Sequence, residues 1–267
     1  MSDWKPDLYL TFSKERTQPA IDLAARIQMR QPRRIIDIGC GPGNSTKILK
    51  ERWPVAEITG IDSSANMIAE ASDKYPDIEW VCADASGDLS HMGLFDVIFS
   101  NAAIQWMPNH EKLLRNLFDM LNPSGVLAVQ TPDASHMPVH VELAKLAFSD
   151  KWANKFTGFS GTHSTYHADF YYNIIAGLSN MIDLWETRYF HVMNSHAEIV
   201  DWYRSTGLKP YLDCLREESL RAEFLFDFER AVTAAYHMQA NGKVLFPFTR
   251  IFFIVKKYAD NDVKRYT

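Results

Sequence analysis

The chain has 267 residues, 46% of them apolar, with three cysteines and a formal net charge of −5. That length holds one large α/β domain with an elaboration, enough to bury a sizeable core, and the negative balance offers no basic footprint for nucleic acid. No apolar run approaches the roughly eighteen residues of a membrane span, the charged opening Asp3, Lys5, Asp7 lacks the apolar stretch of a signal peptide, and Cys40, Cys82 and Cys214 lie too far apart for a disulfide framework or a zinc site and fit a reducing, cytoplasmic setting.

Residues 34–46 read Arg-Ile-Ile-Asp-Ile-Gly-Cys-Gly-Pro-Gly-Asn-Ser-Thr. An apolar run that ends in an acid and opens into Gly39, Gly41 and Gly43 describes a strand-to-helix turn approached closely by a ligand. The dinucleotide fingerprint wants its third glycine at the sixth position, which is Asn44 here; this chain has it one residue earlier. Asp37, two residues before the first glycine, would repel a pyrophosphate and suits a cationic amine.

Helical character over Ser45–Trp53 leads to a second short strand, Glu57 to Asp62. Asp62 follows the glycines by about twenty residues, where an acid closing the second strand accepts from both hydroxyls of a ribose. Its other reading is a helix N-cap, because Ser63 and Ser64 follow. A helix over Ala65–Lys74 precedes a third strand from Ile78 that ends at Asp84, an acid placed to accept from an adenine amino group or to serve as a plain loop acid. The fourth strand, Phe95–Ser100, carries Asp96 at its start, a place that reads as structural, and runs into Asn101-Ala-Ala-Ile-Gln105-Trp106. Leu121-Asn-Pro-Ser-Gly125 reads as a helix stop and turn, introducing a fifth strand to Gln130. This alternation predicts a parallel sheet with helices on both faces and a ligand at the strand C-termini.

Beyond Gln130 the alternation stops. Residues 132–183 read as irregular chain with helices, rich in histidine and aromatics. A sixth strand, Leu184–His191, alternates as strands do; a helical stretch covers 197–239, and Phe248–Lys256 makes a last strand.

The series Asp37/Gly39/Gly41/Gly43, Asp62, Asp84 and Asp96 resembles the nucleotide-binding core of class I S-adenosylmethionine-dependent methyltransferases over residues 33–131. The opening Asp3–Arg16, Gln105-Trp106 and Ile199–Pro210 extend the resemblance almost end to end, toward members that esterify small polycarboxylic acids; it is poorest over 133–167. The resemblance implies an α/β, Rossmann-like seven-stranded sheet, mostly parallel with the last strand antiparallel. It implies one methyltransferase domain: a core of 32–131 plus strands 184–191 and 248–256, and a helical cap from 1–30, 132–183 and 192–243. It also implies a cofactor, S-adenosylmethionine, leaving as S-adenosylhomocysteine, and a set of residues to hold it: Tyr9, Asp37, Gly39, Cys40, Gly41, Asn44, Asp62, Ser63, Met67, Asp84, Ala85 and Asn101.

An acceptor carboxylate with a pKa near 4 is ionised at neutral pH, so its methylation asks for no general base and no metal, only positioning. Selectivity for a small polyanion calls for arginine forks and other donors. The candidates for that role are Arg16, Gln105, Trp106, His163, His167, Arg188 and Arg250, with His191 beside them, and at least two of the cations are expected to contact substrate. Other readings stay open: a thioester-linked acid or a nitrogen or carbon acceptor, or a protein that binds the cofactor without catalysis. An NAD-dependent oxidoreductase ranks low on the glycine spacing and the third acid. The expected partner is a small carboxylic acid, with no nucleic acid, membrane or obligate protein partner.

Overall fold

The computed structural model describes residues 13–159, 164–204 and 206–259, with side chains from residue 16 onward. The Ile/Val-rich runs become strands, since β-branched side chains suit a buried pleated surface. In chain order these are β1 (Arg34–Ile38), β2 (Glu57–Asp62), β3 (Glu79–Cys82), β4 (Phe95–Asn101), β5 (Leu121–Pro132), β6 (Ile182–Met193) and β7 (Val244–Lys256). The helices are α1 (Ser13–Arg26), α2 (Asn44–Arg52), α3 (Ala65–Lys74), α4 (His110–Asp119), α5 (Pro138–Ala147), α6 (Ala168–Ala176), α7 (His196–Arg204), α8 (Lys209–Cys214) and α9 (Glu218–Ala235).

One seven-stranded sheet has the order β3-β2-β1-β4-β5-β7-β6. β1 pairs in parallel with β2 and β4, β2 with β3, and β4 with β5. Gly125 O accepts from Lys257 N–H at 2.8 Å while Asp133 N–H donates to Thr249 O at 3.1 Å, so β7 runs against β5. The expected mostly parallel sheet with an antiparallel last strand is the one observed. The order reverses at β1/β4, and the carboxyl edge at such a reversal is where open α/β sheets bind ligands.

By compactness the described chain forms two units: one of residues 13–132, 166–187 and 251–259, the other of 133–159, 164–165, 188–204 and 206–250. The first holds the core around Ile36, Ile98, Leu114, Leu127, Ile175 and Phe253. Its α4 shows why these helices form: Asn109 caps the start by accepting from Lys112 N–H, and Leu113, Leu114 and Leu117 all face inward. The Lys257 ammonium reaches the carbonyls of Asp119 and Leu121 at 3.2 and 2.9 Å, placing a cation at the negative end of that helix. In the second unit Trp152 is fully buried against Phe224, and its Nε1–H donates to Asp227 at 2.9 Å. Tyr236 OH there accepts from Val139 N–H at 3.1 Å.

Local readings are refined in three places. Leu121–Gly125 is the opening of β5 and not a turn outside it: Leu121 pairs with Phe95, the register shifts before Val97, and Ser124 takes φ 66. The helical stretch 197–239 resolves into α7, α8 and α9. Strands β6 and β7 exceed the predicted 184–191 and 248–256.

Candidate functional site

The site is built at the carboxyl ends of β1, β2 and β4. Gly39, Gly41 and Gly43 all take positive φ, at 68°, 54° and 86°. Gly39 also has no room for a side chain, because a Cβ there would lie 2.2 Å from the Cβ of Ala103. That near-contact sets the glycine turn against the segment following β4. The Gly39 and Cys40 N–H groups donate to Ile61 O at 2.8 and 2.9 Å, and Gly43 leads directly into α2. Among the described residues, a Cβ on Gly41 would meet nothing within 4 Å.

Asp37 lies beneath the turn, fully buried. Its Oδ2 accepts from the hydroxyls of Ser45 and Thr46, both at 2.7 Å, tying β1 to the first turn of α2. Its Oδ1 is buried with no hydrogen-bond partner among the described residues. Burial pushes the carboxyl up to about 6, the Ser45 and Thr46 donors pull it back, and the Asp62 charge adds to the rise. An unmatched acceptor on a group that favours a cation nearby fits an ammonium group, and this carries the fit of S-adenosylmethionine to these residues.

Asp62 accepts from Gly41 N–H through Oδ2 at 3.0 Å and from Ser64 N–H through Oδ1 at 2.9 Å. The cap of α3 is Ser64, whose hydroxyl accepts from Met67 N–H, so Asp62 is not that cap. Met67 is buried, Ser63 is exposed, and Asn44 opens α2 half-buried. Asp84 is exposed beyond β3 and bonds the N–H and hydroxyl of Ser86, with Ala85 buried next to it. Asp96 is structural: despite partial burial, Asn122 and the N–H groups of Arg33 and Arg34 hold its carboxyl below the usual range.

After β4 the backbone turns through Ala102 at φ 53, whose N–H donates to Gln130 O at 2.9 Å. Gln105 reaches back with Nε2 to Ala102 O at 2.7 Å. The buried oxygens Asn101 Oδ1 and Gln105 Oε1 have no hydrogen-bond partner among the described residues, and neither does Thr131 Oγ1 at the end of β5. Trp106 is half-buried.

The remaining candidates separate by exposure. In the first unit Arg16 is buried in α1. In the second, Arg250 is buried with its guanidinium 4.5 Å from the Phe248 ring centre, and His191 is buried and stacked on Trp202 at 4.9 Å. Arg188 is exposed on β6, lying over Phe190, and His167 is exposed before α6. Tyr9 and His163 lie outside the described residues. The sequence reading missed Ser45 and Thr46, although two hydroxyls in the first turn after a glycine loop are a legible sign of bonding to the preceding acid. It also missed Trp80, whose ring would be 2.4 Å from a Cβ on Gly60 and 2.8 Å from one on Gly43; no local pattern announces that wedge.

A seven-stranded sheet reversing at β1/β4, a glycine turn after β1 and an acid closing β2 define a Rossmann-like methyltransferase. A family model described as a methyltransferase domain matches residues 9–208, and the chain belongs to that family. More particularly, it is 42% identical over 257 residues to trans-aconitate 2-methyltransferase of Escherichia coli (strain 55989 / EAEC), covering 96% of this chain and 99% of that enzyme. Among solved structures it is similar to the YcgJ protein of Bacillus subtilis, with a TM-score of 0.57 at 15% identity over 90% of this chain and 99% of that one. It is likewise similar to Haemonchus contortus phosphoethanolamine N-methyltransferase 2, solved with S-adenosyl-L-methionine, with a TM-score of 0.54 at 16% identity over 90% of this chain and 52% of that one. These two likenesses concern the fold.

Proposed function

We propose that this protein is an S-adenosylmethionine-dependent O-methyltransferase that esterifies a carboxylate of a small polycarboxylic acid, trans-aconitate, and releases S-adenosylhomocysteine. The observation that carries the reading is the near-full-length 42% identity to an enzyme of that name, extending well beyond the glycine turn. The unmatched Asp37 Oδ1 supports the cofactor assignment.

When bound, S-adenosylmethionine supplies an electrophilic methyl group. The chain's own part is positional. Asp37 faces the ammonium end, the open stretch at Gly41 admits the backbone approach, and Asp62 accepts from ribose hydroxyls, with Met67, Asp84 and Ala85 around the adenine. Tyr9, Cys40, Asn44, Ser63 and Asn101 complete the proposed cofactor set. The acceptor carboxylate is already ionised, so no side chain has to remove a proton; holding its oxygen in line supplies the rate. Buried arginine is the donor best matched to carboxylate, being planar, forked and permanently charged; Arg16, with Gln105 and Trp106, is one proposed donor and Arg250 is proposed separately. Exposed Arg188 and His167 are not carried into the proposal. A cytoplasmic location belongs to the same reading, supported by the free thiols Cys40, Cys82 and Cys214 and by a chain in which no described helix is long and apolar enough to cross a membrane.

The test is transfer of a labelled methyl group from S-adenosylmethionine to a panel of di- and tricarboxylates, read by mass spectrometry. A monomethyl ester of trans-aconitate, formed in preference to other esters, is the expected product. Turnover of a different acid keeps the class and rejects the substrate; no transfer to any acid rejects the activity.

A further inference from the structure

The two edges of the sheet differ in kind. At one edge β3 is four residues long, the short form by which proteins blunt an open edge. At the other, β6 is twelve residues long, contains no proline or lysine, and has no further strand beyond it among the described residues. Glu186, Arg188, Phe190 and Val192 follow one another on a single exposed face, with Phe190 57% and Val192 62% exposed. An edge defended by charge usually carries one sign, so that self-pairing sets like charges opposite one another. Here the signs alternate about Thr187.

We propose that β6 is a self-complementary edge that pairs antiparallel with β6 of a second copy of this chain across a two-fold axis at Thr187. In that register Glu186 stands opposite Arg188 of the second copy, and Arg188 opposite its Glu186. Leu184 faces Phe190 and Ile182 faces Val192, so the two exposed apolar side chains are each met by an aliphatic one, while Trp185 faces Tyr189. Moving the axis by one residue, a register slip of two, places Glu186 opposite itself toward the N-terminus and Arg188 opposite itself toward the C-terminus. The charges therefore favour the Thr187 register over both neighbours. The contact is isologous and closes at two copies. Strand addition of this kind takes its affinity from main-chain hydrogen bonds and its specificity from the alternate side chains.

Sedimentation velocity and light scattering on the full chain, from about 1 to about 300 µM, cover the range in which small interfaces associate. The expected result is a concentration-dependent dimer that Glu186→Arg and Arg188→Glu each abolish, with melting temperatures close to the parent's, and that the double variant E186R/R188E restores. A parent that stays monomeric throughout, single variants that still dimerise, growth past two copies, or a double variant that fails to recover would each overturn the proposal. The restoring double variant separates lost pairing from a damaged strand.

Discussion

The backbone N–H of Gly41 donates to the Asp62 carboxylate at 3.0 Å, so the apex of the glycine turn hangs from the end of β2. The same carboxylate bonds Ser64 N–H through its other oxygen and thereby sets the start of α3 as well. One acid thus fixes two loops on the carboxyl edge of the sheet.

Asp62→Ala is therefore expected to weaken binding of S-adenosylhomocysteine by about 30- to 100-fold, the scale of one or two bonds to a charged acceptor. Asp62→Asn, which keeps one acceptor oxygen, should lose less. Titration calorimetry at pH 7.5 reads both. An alanine variant that binds as tightly as the parent would remove Asp62 from the site.

The glycines of the turn should not be equivalent. Gly39→Ala brings a methyl group to 2.2 Å from the Ala103 Cβ at φ 68, a contact between groups fixed to backbone that cannot swing aside. Its cost is expected to reach about 3 kcal/mol or more, strain and overpacking together. Gly41→Ala at φ 54 meets no atom of the described residues within 4 Å, and should cost only the left-handed penalty of about 1–2 kcal/mol. Thermal melts of the two variants decide it, and equal losses would contradict the packing argument.

What was legible in the sequence follows from how local each signal is. Alternating strand and helix patterns, the positive-φ glycines and the acids closing strands are written into a few neighbouring residues, and they placed the sheet and its carboxyl edge correctly. The wedge of Trp80 over Gly60 depends on β2 and β3 lying side by side, and the burial of Arg250 beside Phe248 depends on what packs over β7. Arg188 and Arg250 read alike in sequence, each an arginine in a late strand; only the sheet order, with β6 at the edge and β7 inside, separates an exposed cation from a buried one. The strand start at Leu121 was hidden by Asn-Pro-Ser-Gly, whose turn chemistry is real but is absorbed by an irregular register within β5.

That separation predicts unequal substitutions. Arg250→Met and Arg16→Met should raise the KM for a tricarboxylate acceptor by about 10- to 100-fold, the loss of a charge-assisted bond, with smaller change in kcat at saturation. Arg188→Met should leave KM within about twofold, as for an exposed ion contact. Arg250→Lys, which keeps the charge but not the fork, should fall between. Melting curves taken in parallel distinguish a lost contact from a loosened fold, and identical KM values across the series would remove both arginines from acceptor binding.

Asp37 gives a pH signature with two opposite signs. Burial raises its carboxyl from 3.8 to about 6 against the pull of Ser45 and Thr46. For cofactor binding the ionised form is the attractive one, so affinity for S-adenosylhomocysteine should be flat from pH 8 to about 6.5 and then fall, approaching tenfold per unit below about 6. For the empty fold the sign is reversed. A carboxyl whose folded pKa lies above its unfolded one adds stability that is fully present below pH 3.8 and lost as pH rises through about 6. The full swing corresponds to about 3 kcal/mol. Asp37→Asn, which cannot ionise, should thus bind the cofactor weakly at every pH, with the pH dependence gone. Its melting temperature relative to the parent should climb between pH 4 and pH 7.5, because only the parent then buries a charge. Calorimetry and thermal melts over that range measure the two halves separately. A parent whose cofactor affinity does not change between pH 7.5 and 5 would show that Asp37 does not face the ammonium, whatever the melts report.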